Sequence, residues 1–134
     1  MDIDNFDSLL HAARAQAQPQ RLLLVFAGAE LPADATAEQR AAFEAGEAGE
    51  LAPLMCVDKD PQALVDFNTL LTEAETLGPP WALVFAAALA GQGGEPPSAT
   101  LVDAALQRMV EAVRGGDIDR FIPFDRSGDA VRMG

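Results

Sequence analysis

Two acid-base dipeptides, Asp58-Lys59 and Asp125-Arg126, are the side chains of this sequence best suited to hold an anion, each a cation beside a carboxylate at the end of an apolar run. Strand ends in α/β sheets are where ligand sites are commonly assembled. Both pairs also read as turns, because Asp58 precedes a capped helix start and Asp125 opens a hairpin. The loop GQGGEPPSAT contributes Gly93 and Gly94 between a buried strand and a helix, where backbone amides can cradle phosphate. It lacks the lysine of a P-loop, it is not GxGxxG, and Glu95 repels phosphate, so a flexible crossover loop is the simpler reading. Asp58, Lys59, Gly93, Gly94, Asp125 and Arg126 together make the candidate ligand site. Catalytic groups are scarce. His11 falls off the apolar stripe of its helix and is expected at the surface, and Cys56 in an apolar strand is expected buried as a small hydrophobe. With three serines, one histidine and one cysteine, no nucleophile-histidine site and no protein zinc cage is expected, nor any cofactor.

The elements that must position these residues come from composition and periodicity. The chain has 134 residues, 49% of them hydrophobic, enough for one domain over residues 1–134 with its own core. A net charge of −12 makes sequence-independent nucleic-acid binding and docking on anionic lipid poor prospects. The start MDIDNFDSLLHAARA has no basic segment followed by an apolar run, and the longest apolar stretches, Leu22–Ala29 and Trp81–Ala90, fall far short of the ~20 residues of a membrane span. A cytoplasmic protein is therefore expected.

Phe6, Leu9, Leu10, Ala13 and Ala17 share one helical stripe, capped by Asp4 or Asn5 and ended by Pro19. Leu22–Ala29 is apolar throughout, as a strand covered on both faces is. Thr36 and Gln39 have capping-box spacing and open a helix to about Ala45, stopped by Gly46 and Gly49. Leu51–Val57 is a second strand with Pro53 at an edge or bulge. Asp60-Pro61 signals a helix bearing Leu64, Phe67, Leu70, Leu71 and Ala74. Trp81–Leu89 is a third strand, with Trp81 plugging one end of the core. Thr100 opens the last helix, whose inner face is Leu101, Val102, Ala105, Met109, Ala112 and Val113, and Gly115-Gly116 ends it. The tail from Ile118 to Met133 reads as a hairpin turning at Arg126-Ser127-Gly128.

The chain also echoes itself. FDSLLHAA at Phe6 and LVFAGA at Leu24 match FNTLLTEA at Phe67 and LVFAAA at Leu83, and GELAPLMCVDKD from Gly49 aligns without a gap to GDIDRFIPFDRS from Gly116. The expected fold is α/β, with two pseudo-repeated helix-strand-helix-strand units (4–60 and 64–128), related by a pseudo-twofold. They share one mixed central sheet of four to five strands, ending in a C-terminal hairpin.

FDSLLHAARAQ, LLLVFAGAELPADATAEQRAAFEAG, APLMCVDK, LQRMVEAVRGG and IPFDRSGD together resemble small proteobacterial proteins labelled "ribonucleotide reductase subunit alpha". That activity needs a radical-carrying cysteine and a reducing pair, and this chain has only Cys56, so the resemblance implies at most an auxiliary protein. Gly49, Pro53, Leu54, Leu64 and Phe67 are similar to the pattern of the SseB-like fold, with Met55-Cys56 in place of its Phe-Thr, which implies an interaction or regulatory domain. Three readings follow. The first is a non-enzymatic cytoplasmic protein working through protein contacts, a homodimer among them. The second is a small-anion binder, for phosphate or nucleotide. The third is an accessory of ribonucleotide reductase. Of the basic residues Lys59, Arg108, Arg114, Arg120, Arg126 and Arg132, all but the first lie from position 108 onward, so an anionic partner belongs in that C-terminal portion.

Overall fold

Phe6, Leu9, Leu10 and Ala13 are all buried in α1 (Phe6–Arg14), as their spacing requires. The same stripe recurs in α3 (Phe67–Leu77) as Phe67, Leu70 and Ala74. The two helices also start alike. Asn5 Oδ1 accepts from the Ser8 amide and hydroxyl at 2.8 and 3.0 Å, and Asp66 Oδ1 accepts from the Thr69 amide and hydroxyl at 2.9 and 2.8 Å. A side-chain acceptor at the cap satisfies an amide that the first helical turn leaves free. Asp60-Pro61 does not start α3. Asp60 closes a turn over residues 61–63 instead, its carbonyl accepting from Ala63 and Leu64, and the helix begins only after its cap, Asp66.

This computed structural model describes residues 3–30, 36–44, 50–78 and 80–131. Its strands are β1 (Gln20–Glu30), β2 (Glu50–Lys59), β3 (Leu83–Ala90) and β4 (Ile122–Phe124), in the order β2-β1-β3-β4. Every pairing is antiparallel, so the sheet is not mixed. Alternating helices and strands imply a parallel sheet only where a helix carries the chain back to the same end. Here the links after β1 and β3 return it alongside in the opposite direction. The terminal turn forms, with Gly128 donating to the Asp125 carbonyl and Val131 to that of Pro123. Its return arm is an isolated bridge, Phe124 to Ala130, and adds no fifth strand among the described residues. The glycine stop at Gly46 and Gly49 and the hairpin end at Arg132–Met133 lie outside the described residues.

Two apolar layers flank the sheet. Leu22, Leu24, Phe26, Val84, Ala86 and Phe124 pack against α1 and α3, with the Phe6 ring 5.5 Å from Phe67 and 5.4 Å from Phe124. Leu23, Val25, Ala27 and Phe85 face α4 (Ala99–Arg114) through Val102, Leu106, Met109 and Val113. Ser98, not Thr100, caps α4. Leu101, expected inside, is 59% exposed, and Leu106 takes an inner place. α2 (Ala37–Glu44) begins with the expected box, Thr36 and Gln39 each donating an amide to the other's side chain, and residues 37–41 are exposed.

The two outer strands meet the two inner ones in comparable registers. β2 meets β1 as Val57 with Leu24, Cys56 with Val25 and Met55 with Phe26, while β4 meets β3 as Phe124 with Val84, Pro123 with Phe85 and Ile122 with Ala86. Val84, not Leu83, thus faces Phe124 as Leu24 faces Val57. Successive strand residues point to opposite faces, so the letter alignment sends Leu24 and Phe26 to the α1/α3 layer and Leu83 and Phe85 to the α4 layer.

Candidate functional site

The six candidate ligand residues do not converge. Lys59, at the end of β2, is level with Leu22, whereas Asp125 and Arg126 follow Phe124, which is level with Val84 and so with Phe26. β2 and β4 are the two outer strands, three strand spacings or about 14 Å apart. Each charge is also engaged locally. Arg21 Nε donates to Asp58 Oδ2 at 2.6 Å, and Lys59 Nζ to Glu73 Oε1 at 2.5 Å. Arg126 pairs with Glu75, donates to the Trp81 carbonyl at 3.0 Å and lies 4.7 Å over the Trp81 ring. Asp125 Oδ1 accepts from the Ser127 and Asp129 amides at 2.8 and 3.1 Å, the local bonding that makes aspartate a turn residue. Lys59 and Arg126 therefore fasten α3, through Glu73 and Glu75, to the two edges of the sheet.

Gly93 and Gly94, at φ +60° and +81°, form a two-residue turn between Gln92 and Glu95, which exchange both backbone hydrogen bonds at 3.0 Å. The Gly94 amide donates to Gln18 Oε1 at 2.8 Å. The link from β3 to α4 thus contains a miniature hairpin.

Sequence reasoning missed Arg14. Its guanidinium donates to the carbonyls of Pro61, Leu64 and Val65, closing one wall of a cleft of about 430 Å³ that Gln16, Gln18 and Gln62 also line. The partners lie 47 to 51 residues away, so no local signal marks them. These side chains bond mostly to backbone in the cleft walls, which makes the cleft a stapled seam. Among the described residues no group of three or more His, Cys, Asp or Glu side chains is placed to hold a metal ion. Nor is any helix there long and apolar enough to cross a membrane.

Among the described residues, the outer edge of β2 is left without a partner. It pairs with β1 on one side alone, and its backbone makes no other backbone hydrogen bond before Asp60 among the described residues. The register shifts between Met55 and Pro53, leaving Leu54 as the bulged residue, and Leu54–Lys59 continues beyond it. Leu54, Met55 and Val57 are half-buried against the α1/α3 layer. Cys56, expected buried, is exposed on the opposite face, because an edge strand has a neighbour on one side only. His11 is exposed, as expected, and Trp81 is buried against Phe26 with ring centroids 5.0 Å apart. The chain was compared with family models, curated proteins and solved structures, and none of them matches it.

Proposed function

We propose that this chain is a protein-interaction domain acting through the outer edge of β2, which pairs backbone to backbone with β2 of a second copy around Cys56. The observation carrying this reading is the unpaired edge from Leu54 to Lys59. Proteins usually blunt such an edge with lysines, prolines or a covering element. Here Pro53 and the bulge protect only its beginning, Leu54–Val57 carries no charge, and Arg21 and Glu73 already neutralise Asp58 and Lys59. An antiparallel, isologous pairing would extend the four-stranded sheet across two copies. Backbone bonds worth about 1 kcal/mol each must offset an association cost of about 4–15 kcal/mol, so the pairing is weak and is to be sought at concentrations from about 1 μM to about 1 mM. The matching caps of α1 and α3 and the matching registers of β1-β2 and β3-β4 support descent from a duplicated helix-strand-helix-strand unit. The reading rests on neither family resemblance.

Sedimentation velocity over that concentration range tests it, with Cys56→Lys and Cys56→Glu as variants. Position 56 is exposed, so either charge leaves the fold intact, and in a symmetric pair like charges face each other. Each variant alone is expected to stay monomeric, and an equimolar mixture to dimerise. A wild-type chain that remains monomeric at about 1 mM, or variants that dimerise as wild type does, would refute the reading.

A further inference from the structure

We infer a second binding site, for a small monocarboxylate with a short apolar tail, in the groove between α4 and β3. α4 lies across β1 and β2, so Leu83, Ala87 and Leu89 on the α4 side of β3 are only half-buried. Ile118 and Phe121, in the segment after α4, pack there instead. A hollow of about 230 Å³ remains, floored by Leu23 and Ala87 and walled by Met109, Ala112 and Phe121. Drug-sized ligands occupy about 300–1,000 Å³, which limits the occupant here to a smaller molecule.

The rim selects its charge. Arg108 and Arg120 line the groove, and neither forms an ion pair among the described residues. In a chain of net charge −12, two cations at one apolar opening stand against the general field. Asp117 also lines the groove, so one carboxylate stands beside two arginines and the rim keeps a net positive charge. An apolar floor with cations above it matches a molecule with a carboxylate at one end and hydrocarbon at the other. The floor contributes affinity by burial, about fourfold per methylene, and the arginines contribute selection, up to about fivefold each for an exposed pair.

Hexanoate, 1-hexanol and hexylammonium are suitable probes, titrated into the isotopically labelled full chain and followed by amide NMR shifts. Hexanoate is expected to give saturable shifts at Ala87, Met109 and Phe121. Hexanol should bind about tenfold more weakly, and hexylammonium more weakly still. The double variant Arg108→Ala/Arg120→Ala changes exposed side chains, so its melting temperature should match wild type. It should bind hexanoate and hexanol alike. Equal affinity for the two in wild type, unchanged hexanoate affinity in the double variant, or an absence of shifts at these residues would each overturn the assignment. None of these outcomes depends on pairing at β2, because the measurement can be made on the monomeric Cys56→Lys chain.

Discussion

At Gly128 the backbone sits at φ +83°, and a Cβ there would lie 2.9 Å from Cδ2 of Phe67. The same residue's carbonyl accepts the Phe6 amide at 2.7 Å, so the turn cannot swing away without releasing the start of α1. Gly93 has a similar φ, +60°, with open space around it. Gly128→Ala should therefore cost about 2–4 kcal/mol, conformational strain plus overpacking, and Gly93→Ala only about 1 kcal/mol. Urea unfolding followed by the fluorescence of Trp81, the sole tryptophan, measures both. A second prediction concerns Asp66. The hydrogen bond from the Thr69 amide, then that from its hydroxyl, holds this carboxyl below its ordinary value of 3.8. A folded value lower than the unfolded one means that the stabilisation is complete above 3.8 and is lost as pH falls through the lowered folded value. Asp66→Asn keeps an acceptor that does not titrate. The gap in urea midpoint between wild type and this variant should shrink on acidification from about pH 6 to about pH 3.

The elements differ in how far their residues announce them. The stripes of α1 and α3 follow from spacing, and so does the Thr36-Gln39 box, because these are local interactions. The start of α3 was not legible. Asp60-Pro61 has the right local chemistry, but the amide of Phe67 is taken by Asp7 Oδ1 at 2.9 Å, from a helix 60 residues earlier in the chain. The same limit hid the candidate site. Lys59 and Arg126 read as free cations until strand order brings Glu73 and Glu75 of α3 between them. Strand sense and the face of the sheet that each LVFA run turns inward are also pairing properties, which a run of apolar letters does not encode. Arg14 is the clearest long-range tie between elements, holding the end of α1 to the turn that precedes α3. Arg14→Ala should destabilise by about 1–3 kcal/mol. Arg14→Lys should restore less than half of that, because an ammonium cannot present the planar fork that reaches all three carbonyls. Urea unfolding of the two variants side by side decides whether the geometry or the charge matters.

On the scale of the whole molecule, a charge of −12 acts on the two proposed contacts in opposite senses. Two copies approaching through β2 repel each other, while the attraction between them comes from backbone hydrogen bonds and uncharged side chains, which salt hardly affects. Raising the ionic strength from about 0.01 M to about 0.1 M shortens the Debye length from about 30 Å to about 10 Å and so screens the repulsion. Self-association should therefore strengthen with salt. Carboxylate binding at Arg108 and Arg120 gains from opposite charges at an exposed rim, and the same change of salt should weaken it. Sedimentation equilibrium and the hexanoate titration, each at both salt concentrations, give the two slopes. If association weakened with added salt, ion pairs would be holding the copies together. The contact would then have to lie away from Leu54–Val57, where there is no charge to form one, since the adjoining Asp58 and Lys59 are already paired within the chain.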